Sequence, residues 1–289
     1  MINYIKFRIK NEIKELLEER NLKLCNKTDK EILSVPWRKE FLAQVEKRIL
    51  PDTSLILEIG DGDGALSLEL SKRHRDCFFY GIDISGFPRK NINYSHFNMS
   101  ATNLLFKDNC VDLVISHNVF EHIQGLKKAV SEMIRVLKPG GKLYTFFAPI
   151  WSSAFGHHYY EDDGSKVFSI FPEYSHLYFK KEELRKIIFK HIGHFKKERI
   201  IAENYIFGNG CNKLFPEDYR NLFINNNGLK IINFVEIDKH YHNEKTTGPL
   251  PIKLINLYKN IPPKDFKIVG FEVEGIKEWK YILVDIKGF

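Results

Sequence analysis

The stretch from Leu55 to Gly64, LILEIGDGDG, constrains the fold of this chain more than any other segment. An apolar run leads into Glu58-Ile59 and then into glycines at alternate positions, Gly60, Gly62 and Gly64. Ala65 to Leu70 follows with the composition of a helix start. Strand, glycine turn and helix in that order make the nucleotide-binding element of a Rossmann-like sheet. Glycine permits the sharp turn and lets a ligand approach the main chain where a Cβ would collide.

The rest of the pattern agrees with that element. Apolar runs at 55–59, 77–82, 94–97, 111–116 and 142–148 read as strands. Between them, helical spacing predicts helices near 64–74 and over 126–137, where Leu126, Ala129, Val130, Met133, Ile134 and Leu137 share one face. Strands alternating with helices predict an α/β, Rossmann-like, doubly wound and mostly parallel seven-stranded sheet.

The segment before the glycine stretch predicts an N-terminal helical cap. Ile5, Ile9, Ile13 and Leu16 or Leu17 stripe a helix over 2–20, and Phe41, Val45 and Ile49 stripe a second one that Pro51-Asp52 ends. After Pro149 the regularity breaks into an aromatic, histidine-rich stretch, 150–179, which predicts a lid inserted after the fifth strand. Helices are expected over 181–191 and from Pro216 to Phe223. Strands at 229–235 and 280–286 then close the sheet, separated by a Pro-rich insertion at 249–263. The economical division is a single domain over 1–289, with a cap at 1–54, a core at 55–149, a lid and substrate region at 150–228 and closing strands at 229–289.

At 289 residues such a chain can bury a large core, and 43% hydrophobic with 28% charged residues is ordinary globular composition. No apolar run approaches a membrane span. The N-terminal residues carry acids and lack a small-residue cleavage site, so no secretory leader is expected. The four cysteines, Cys25, Cys77, Cys110 and Cys211, form no CxxC pair, which fits reduced thiols and a cytoplasmic location. The net charge of +7 is diffuse; its densest part, Lys180 to Arg199, has eight Lys or Arg against three Glu and reads first as a solvated helix face.

The ligand-binding edge can be traced residue by residue. The ExGxGxG spacing from Glu58 lacks the third glycine of the dinucleotide pattern, because Ala65 already begins the helix. Asp83 ends the second strand, where a carboxylate can accept hydrogen bonds from both hydroxyls of a ribose. Ser100-Ala101 follows the third strand and Ser116-His117-Asn118 ends the fourth, so all of them meet at the C-terminal edge of the sheet.

With LEIGDGDG, GIDIS, NMSATNLLFKDNCVDLVISHNVFEHI and RVLKPGGKLYTFFAP in place, residues 55–149 resemble a class I S-adenosylmethionine-dependent methyltransferase of the type 11 group. The resemblance implies that Glu58, Gly60, Asp61, Gly62 and Gly64 hold the amino-acid end of S-adenosylmethionine. It places the ribose on Asp83 with Ile84, the adenine on Ser100 and Ala101, and the methionine portion on Ser116, His117 and Asn118. Ser100 stands where family members commonly carry Asp.

Methyl transfer to a hydroxyl needs a base, and His157, His158 and His122 are the candidates nearest the sheet edge. Glu121-His122 also resembles the metal-holding EH pair of related enzymes, which would bring Mg2+ or Mn2+. The expected activity is therefore O-methylation of a small-molecule or glycan-type acceptor. An RNA acceptor, suggested by charge, and a catalytically inactive interaction subunit that binds the cofactor are the alternatives.

Overall fold

A computed structural model describes residues 36–85, 90–162, 167–192, 196–225, 228–238 and 249–278. The helix expected over 2–20 and the strand expected over 280–286 lie outside these residues.

The sheet is built from β1 (Leu55–Ile59), β2 (Phe78–Asp83), β3 (Lys90–Asn91), β4 (Tyr94–Asn98), β5 (Val111–His117), β6 (Leu137–Phe147), β9 (Leu229–Ile237) and β10 (Gly270–Lys277). A separate two-stranded hairpin pairs β7 (Glu161–Asp162) with β8 (Val167–Phe168). The order across the main sheet is β3-β4-β2-β1-β5-β6-β10-β9. Strands β4, β2, β1, β5 and β6 run parallel, and β10 is antiparallel to both of its neighbours. Six of the expected seven strands are present, and two that were not expected join them: β10 and the two-residue β3, antiparallel to β4 at the edge.

Alternation along the central strands feeds two cores, because successive side chains point to opposite faces. Leu57, Ile59 and Val114 face helix α3 (Leu126–Val136), whose Ala129, Val130 and Met133 are wholly buried, and Phe223 of helix α7 (Pro216–Ile224) joins them. Ile56, Leu113 and Ile115 face the other way, onto α1 (Pro36–Glu46) through Phe41, Leu42 and Val45 and onto α2 (Ala65–Arg73) through Leu66 and Leu70. Burial on both faces explains why these strands read as continuous apolar runs.

Beyond β6 the chain adds α4 (Ser175–Tyr178), α5 (Lys181–Ile192), α6 (Lys196–Phe207), α8 (Ile252–Leu257) and a 3-10 turn (Pro263–Lys267). They carry two smaller cores, one around Trp151, Tyr174, Cys211 and Phe266, the other around Phe171, Leu184, Ile188 and Ala202. Arg220 of α7 ties this region together, bonding Asp265 in a two-pronged contact at 2.9 and 3.0 Å and Glu236 of β9 at 2.6 Å.

Three elements differ from the sequence expectation. Helix α6 fills a stretch expected to be loop. Strand β6 begins at Leu137 rather than after Gly141, so the KPGG segment lies inside it, with Gly140 in the left-handed region at φ 81°. The strand that enters the sheet beside β6 is Gly270–Lys277, where Phe271 and Val273 turn inward and Glu272 and Glu274 outward.

Candidate active site

The glycine turn is set by backbone conformation. Gly60, Gly62 and Gly64 all have positive φ, at 72°, 51° and 69°. Space confirms two of them: a Cβ on Gly60 would run into the Val119 side chain, and one on Gly64 into the Tyr94 hydroxyl. The first contact seats the turn after β1 directly against the loop after β5.

Four acids crowd this turn. Glu58 is buried, accepts a 2.5 Å hydrogen bond from Ser67 Oγ, and is pushed up to about 8, first by loss of water and then by the nearby Asp61. Asp61 is buried and accepts bonds from Tyr94 Oη at 2.7 Å and His96 Nδ1 at 2.9 Å; burial nonetheless raises it. Burial works to lower His96, but its bond to Asp61 wins and raises it. Asp63 accepts from the Ala65 N–H at the start of α2 and pairs with Arg38 of α1 at 3.0 Å. Asp83 receives Gly62 N–H at 3.3 Å and Ser85 N–H at 2.8 Å, which fixes its carboxylate at the strand end.

The other residues named from the sequence fall into distinct settings. Ile84 is 68% exposed beside Asp83, an apolar side chain offered to solvent at the strand tip. Ser100 is exposed and bonds Thr102 Oγ1 at 2.9 Å, with Ala101 next to it. Ser116 points inward instead: its hydroxyl donates to Ile59 O of β1 at 3.0 Å, a brace between the strands. His117 lies between the rings of Trp37, at 4.8 Å, and Phe146, at 5.5 Å, and burial together with the Arg38 charge takes it down to about 3. Asn118 adopts φ 53°, and its buried Oδ1 has no hydrogen-bond partner among the described residues.

The histidines after β6 are deeper than their loop position implies. His157 is fully buried against Phe171 and His176, and its Nδ1 accepts the Tyr159 N–H at 3.1 Å. His158 donates from Nε2 to Pro149 O at 2.7 Å. Burial holds both imidazoles well below their ordinary range and takes His176 to about 4. His122 keeps a third of its side chain exposed and donates from Nδ1 to Gly210 O at 2.6 Å. Its neighbour Glu121 is 1% exposed; neither of its carboxylate oxygens has a hydrogen-bond partner among the described residues, and burial raises it well above the usual range.

Among the described residues, the oxygen-rich setting that Mg2+ or Mn2+ requires does not form around Glu121-His122. The groups the structure gathers beside His122 are His158 and Cys211, an imidazole and a thiol. Cys211 was not singled out by its spacing, and neither were Ser67, Tyr94, His96 and Arg38. For Tyr94 and His96 a signal existed, since two polar-tipped rings at i and i+2 of one strand share a face.

Comparison with known proteins bears directly on this edge. Residues 57–145 match the methyltransferase domain family model. Over these residues the chain is similar to methyltransferase domains. It is 28% identical over 122 residues to an uncharacterized methyltransferase of Mycobacterium sp. (strain KMS), covering 40% of this chain and 47% of that one. It is 32% identical over 88 residues to malonyl-[acyl-carrier protein] O-methyltransferase 1 of Coxiella burnetii, covering 30% and 31%. It is also 38% identical over 100 residues to the Arabidopsis thaliana tRNA (carboxymethyluridine(34)-5-O)-methyltransferase, covering 32% and 23%. The chain thus spans less than half the length of these curated relatives.

The residues present suit the methyl donor that this family binds. Gly62 has open space where a Cβ would stand, Gly60 and Gly64 pack tightly on Val119 and Tyr94, and Asp83 ends a strand with its carboxylate held. The carboxylates at this turn complement a ligand that carries positive charge on sulfur and nitrogen, Asp83 being the one held at the strand end. No helix of the described residues is long and apolar enough to cross a membrane.

Proposed function

We propose that this chain transfers a methyl group from S-adenosylmethionine to a carboxylate or similarly acidic oxygen of a small acceptor. The observation that carries the donor half is the glycine turn, open at Gly62 and packed through Gly60 on Val119, with Asp83 beside it. When bound, S-adenosylmethionine supplies an electrophilic methyl on a sulfonium. The chain's own part is to orient the two reactants for in-line displacement and to hold the donor's charged ends.

In this reading Asp83 accepts the ribose hydroxyls, while Ile84 and Ala101 flank the adenine and Ser100 offers it a hydroxyl. Glu58 and Asp61 face the amino-acid end, and Asn118 Oδ1 gains the donor it lacks.

The acceptor class follows from the histidines. An imidazole that burial holds well below its ordinary range is a weak proton acceptor, so His157 and His158 are poor bases for a neutral hydroxyl. An oxygen that is already anionic needs none. The names of two relatives, a malonyl-[acyl-carrier protein] O-methyltransferase and a tRNA (carboxymethyluridine(34)-5-O)-methyltransferase, support that chemistry. A tRNA-borne acceptor is the second reading, supported by the name of the Arabidopsis relative and the net charge of +7.

Calorimetry and a turnover assay test the proposal. Asp83→Ala is expected to weaken S-adenosylmethionine binding by about 1–3 kcal/mol through loss of charge-assisted bonds. Release of S-adenosylhomocysteine is expected with carboxylated metabolites. Turnover confined to tRNA would select the second reading, and unchanged affinity in Asp83→Ala would remove the donor assignment.

A further inference from the structure

Three segments far apart in sequence converge on one point beside the loop after β5. His122 comes from that loop, His158 from the loop after β6, and Cys211 from the link between α6 and α7. One donor atom of each lies within 4.8 Å of the others. We propose that His122, His158 and Cys211 bind a divalent transition-metal ion of zinc-like chemistry that clasps these three loops together.

The second layer of contacts is what such a site requires. Metal-bound imidazoles characteristically donate their other N–H to a carbonyl or carboxylate, which fixes the ring and its tautomer. Here His122 Nδ1–H goes to Gly210 O at 2.6 Å, so the lone pair sits on Nε2. His158 Nε2–H goes to Pro149 O at 2.7 Å, so the lone pair sits on Nδ1. The rings are 4.6 Å apart. Gly210 adjoins Cys211, so the segment that supplies the sulfur also orients one of the rings.

Asn212 then locks that segment to the first loop, with its N–H on Glu121 O at 2.8 Å and its Nδ2 on Phe120 O at 2.7 Å. Zinc bonds of about 2.0–2.3 Å place tetrahedral donors about 3.3–3.8 Å apart, within a small side-chain adjustment of the spacing found.

The donor set selects the metal. A thiolate with two imidazoles suits Zn2+ and its neighbours and not Mg2+ or Ca2+. Three protein ligands leave a fourth position. Glu121 is placed beside it, with Oε1 3.9 Å from His122 Nε2 and both oxygens buried without a hydrogen-bond partner among the described residues. A metal-held water would donate to that carboxylate. Cys211 as thiolate would offset one of the two positive charges of the ion. The proposal rests on these three side chains alone, so it holds whether or not the methyl acceptor is the one proposed above.

Metal content and Co2+ spectroscopy on the purified full chain, with no S-adenosylmethionine present, test it directly. After chelation and reloading, about one Zn2+ per chain is expected. Co2+ is expected to give a thiolate-to-metal charge-transfer band and the visible bands of a tetrahedral ion. Cys211→Ser should abolish the charge-transfer band, and Cys110→Ser, a half-buried thiol near the start of β5, should keep it. His158→Gln should weaken metal binding by at least about 100-fold, and serves as the decisive variant if Cys211→Ser does not fold. Failure to retain metal, or a charge-transfer band that survives Cys211→Ser, would overturn the site.

Discussion

The two sides of the C-terminal edge are built by different means. On the glycine side, every residue that shapes the pocket lies on or next to a parallel strand: Glu58 to Gly64 after β1, Asp83 after β2, Asn118 after β5. Its chemistry is backbone conformation plus carboxylates. On the histidine side, His122, His158 and Cys211 come from three segments whose meeting depends on helices α5 to α7 and on β9 and β10. Its chemistry is imidazole and thiol. The difference teaches that a glycine turn can be dictated by local chain geometry, whereas a cluster of side chains drawn from three loops exists only after long-range packing is complete.

Substitution at the glycine side should break the first half of that comparison most severely. Gly60→Val would place a β-branched residue at φ 72°, costing about 1–2 kcal/mol from the left-handed backbone alone, and drive its side chain into Val119. Loss of detectable S-adenosylmethionine binding by calorimetry is the expected result, and near-normal affinity would show that the turn is less tightly specified than its geometry says. Asn212→Ala probes the other side. It removes the bond to Phe120 O and strands the Tyr219 hydroxyl that donates to Asn212 Oδ1 at 3.0 Å. A stability loss of about 1–3 kcal/mol in urea, with cofactor affinity unchanged, is expected. Equal losses of stability and affinity would erase the distinction between the two sides.

A smaller, pH-dependent effect belongs to Glu58. Its carboxyl is held at about 8 in the folded chain, against 4.5 ordinarily. Between those values the folded state keeps a proton that the unfolded state has released, so stability falls as pH rises, by up to about 1.4 kcal/mol per pH unit. Below about pH 6.5 the buried His117, His157, His158 and His176, held neutral in the folded chain, act in the opposite sense. Thermal melts of the ligand-free protein between about pH 7 and 8 should therefore show the Glu58 slope, and Glu58→Gln should make it shallower. A wild-type melting temperature that climbs over that range would contradict the buried, protonated carboxyl.

Legibility in the sequence followed the same division. The central strands were visible because burial on both faces forces uninterrupted apolar runs, as in Leu55 to Leu57 and Val111 to Ser116. The glycine turn was visible because its residue type is set by φ. Helix α6 was hidden because its apolar residues, Ile200, Ile201, Ala202, Tyr205, Ile206 and Phe207, are spread round the helix and mark no single face. Strand β10 was hidden by Glu272 and Glu274, which an antiparallel strand can point outward as the buried parallel strands cannot.

The depth of His157 and His158 was also out of reach. It comes from Phe171, His176 and the turn at Pro149, contacts that no spacing rule announces. Cys211 shows the limit most plainly, since a single cysteine between two helices gives no sign of the histidines it will meet.

The position of β10 has a consequence for how the molecule is made. It hydrogen-bonds to β6 on one side and β9 on the other, so those two strands have no pairing with each other to fall back on. During synthesis the glycine turn and its parallel neighbours are complete once residue 147 has emerged, while β6 waits with an open edge for another 130 residues, until Lys277 appears. An unpaired apolar strand edge is a template for wrong partners. A nascent chain paused in that interval would already own its cofactor turn but would be at its most prone to aggregate, and the insertion of β10 is the step that ends the exposure.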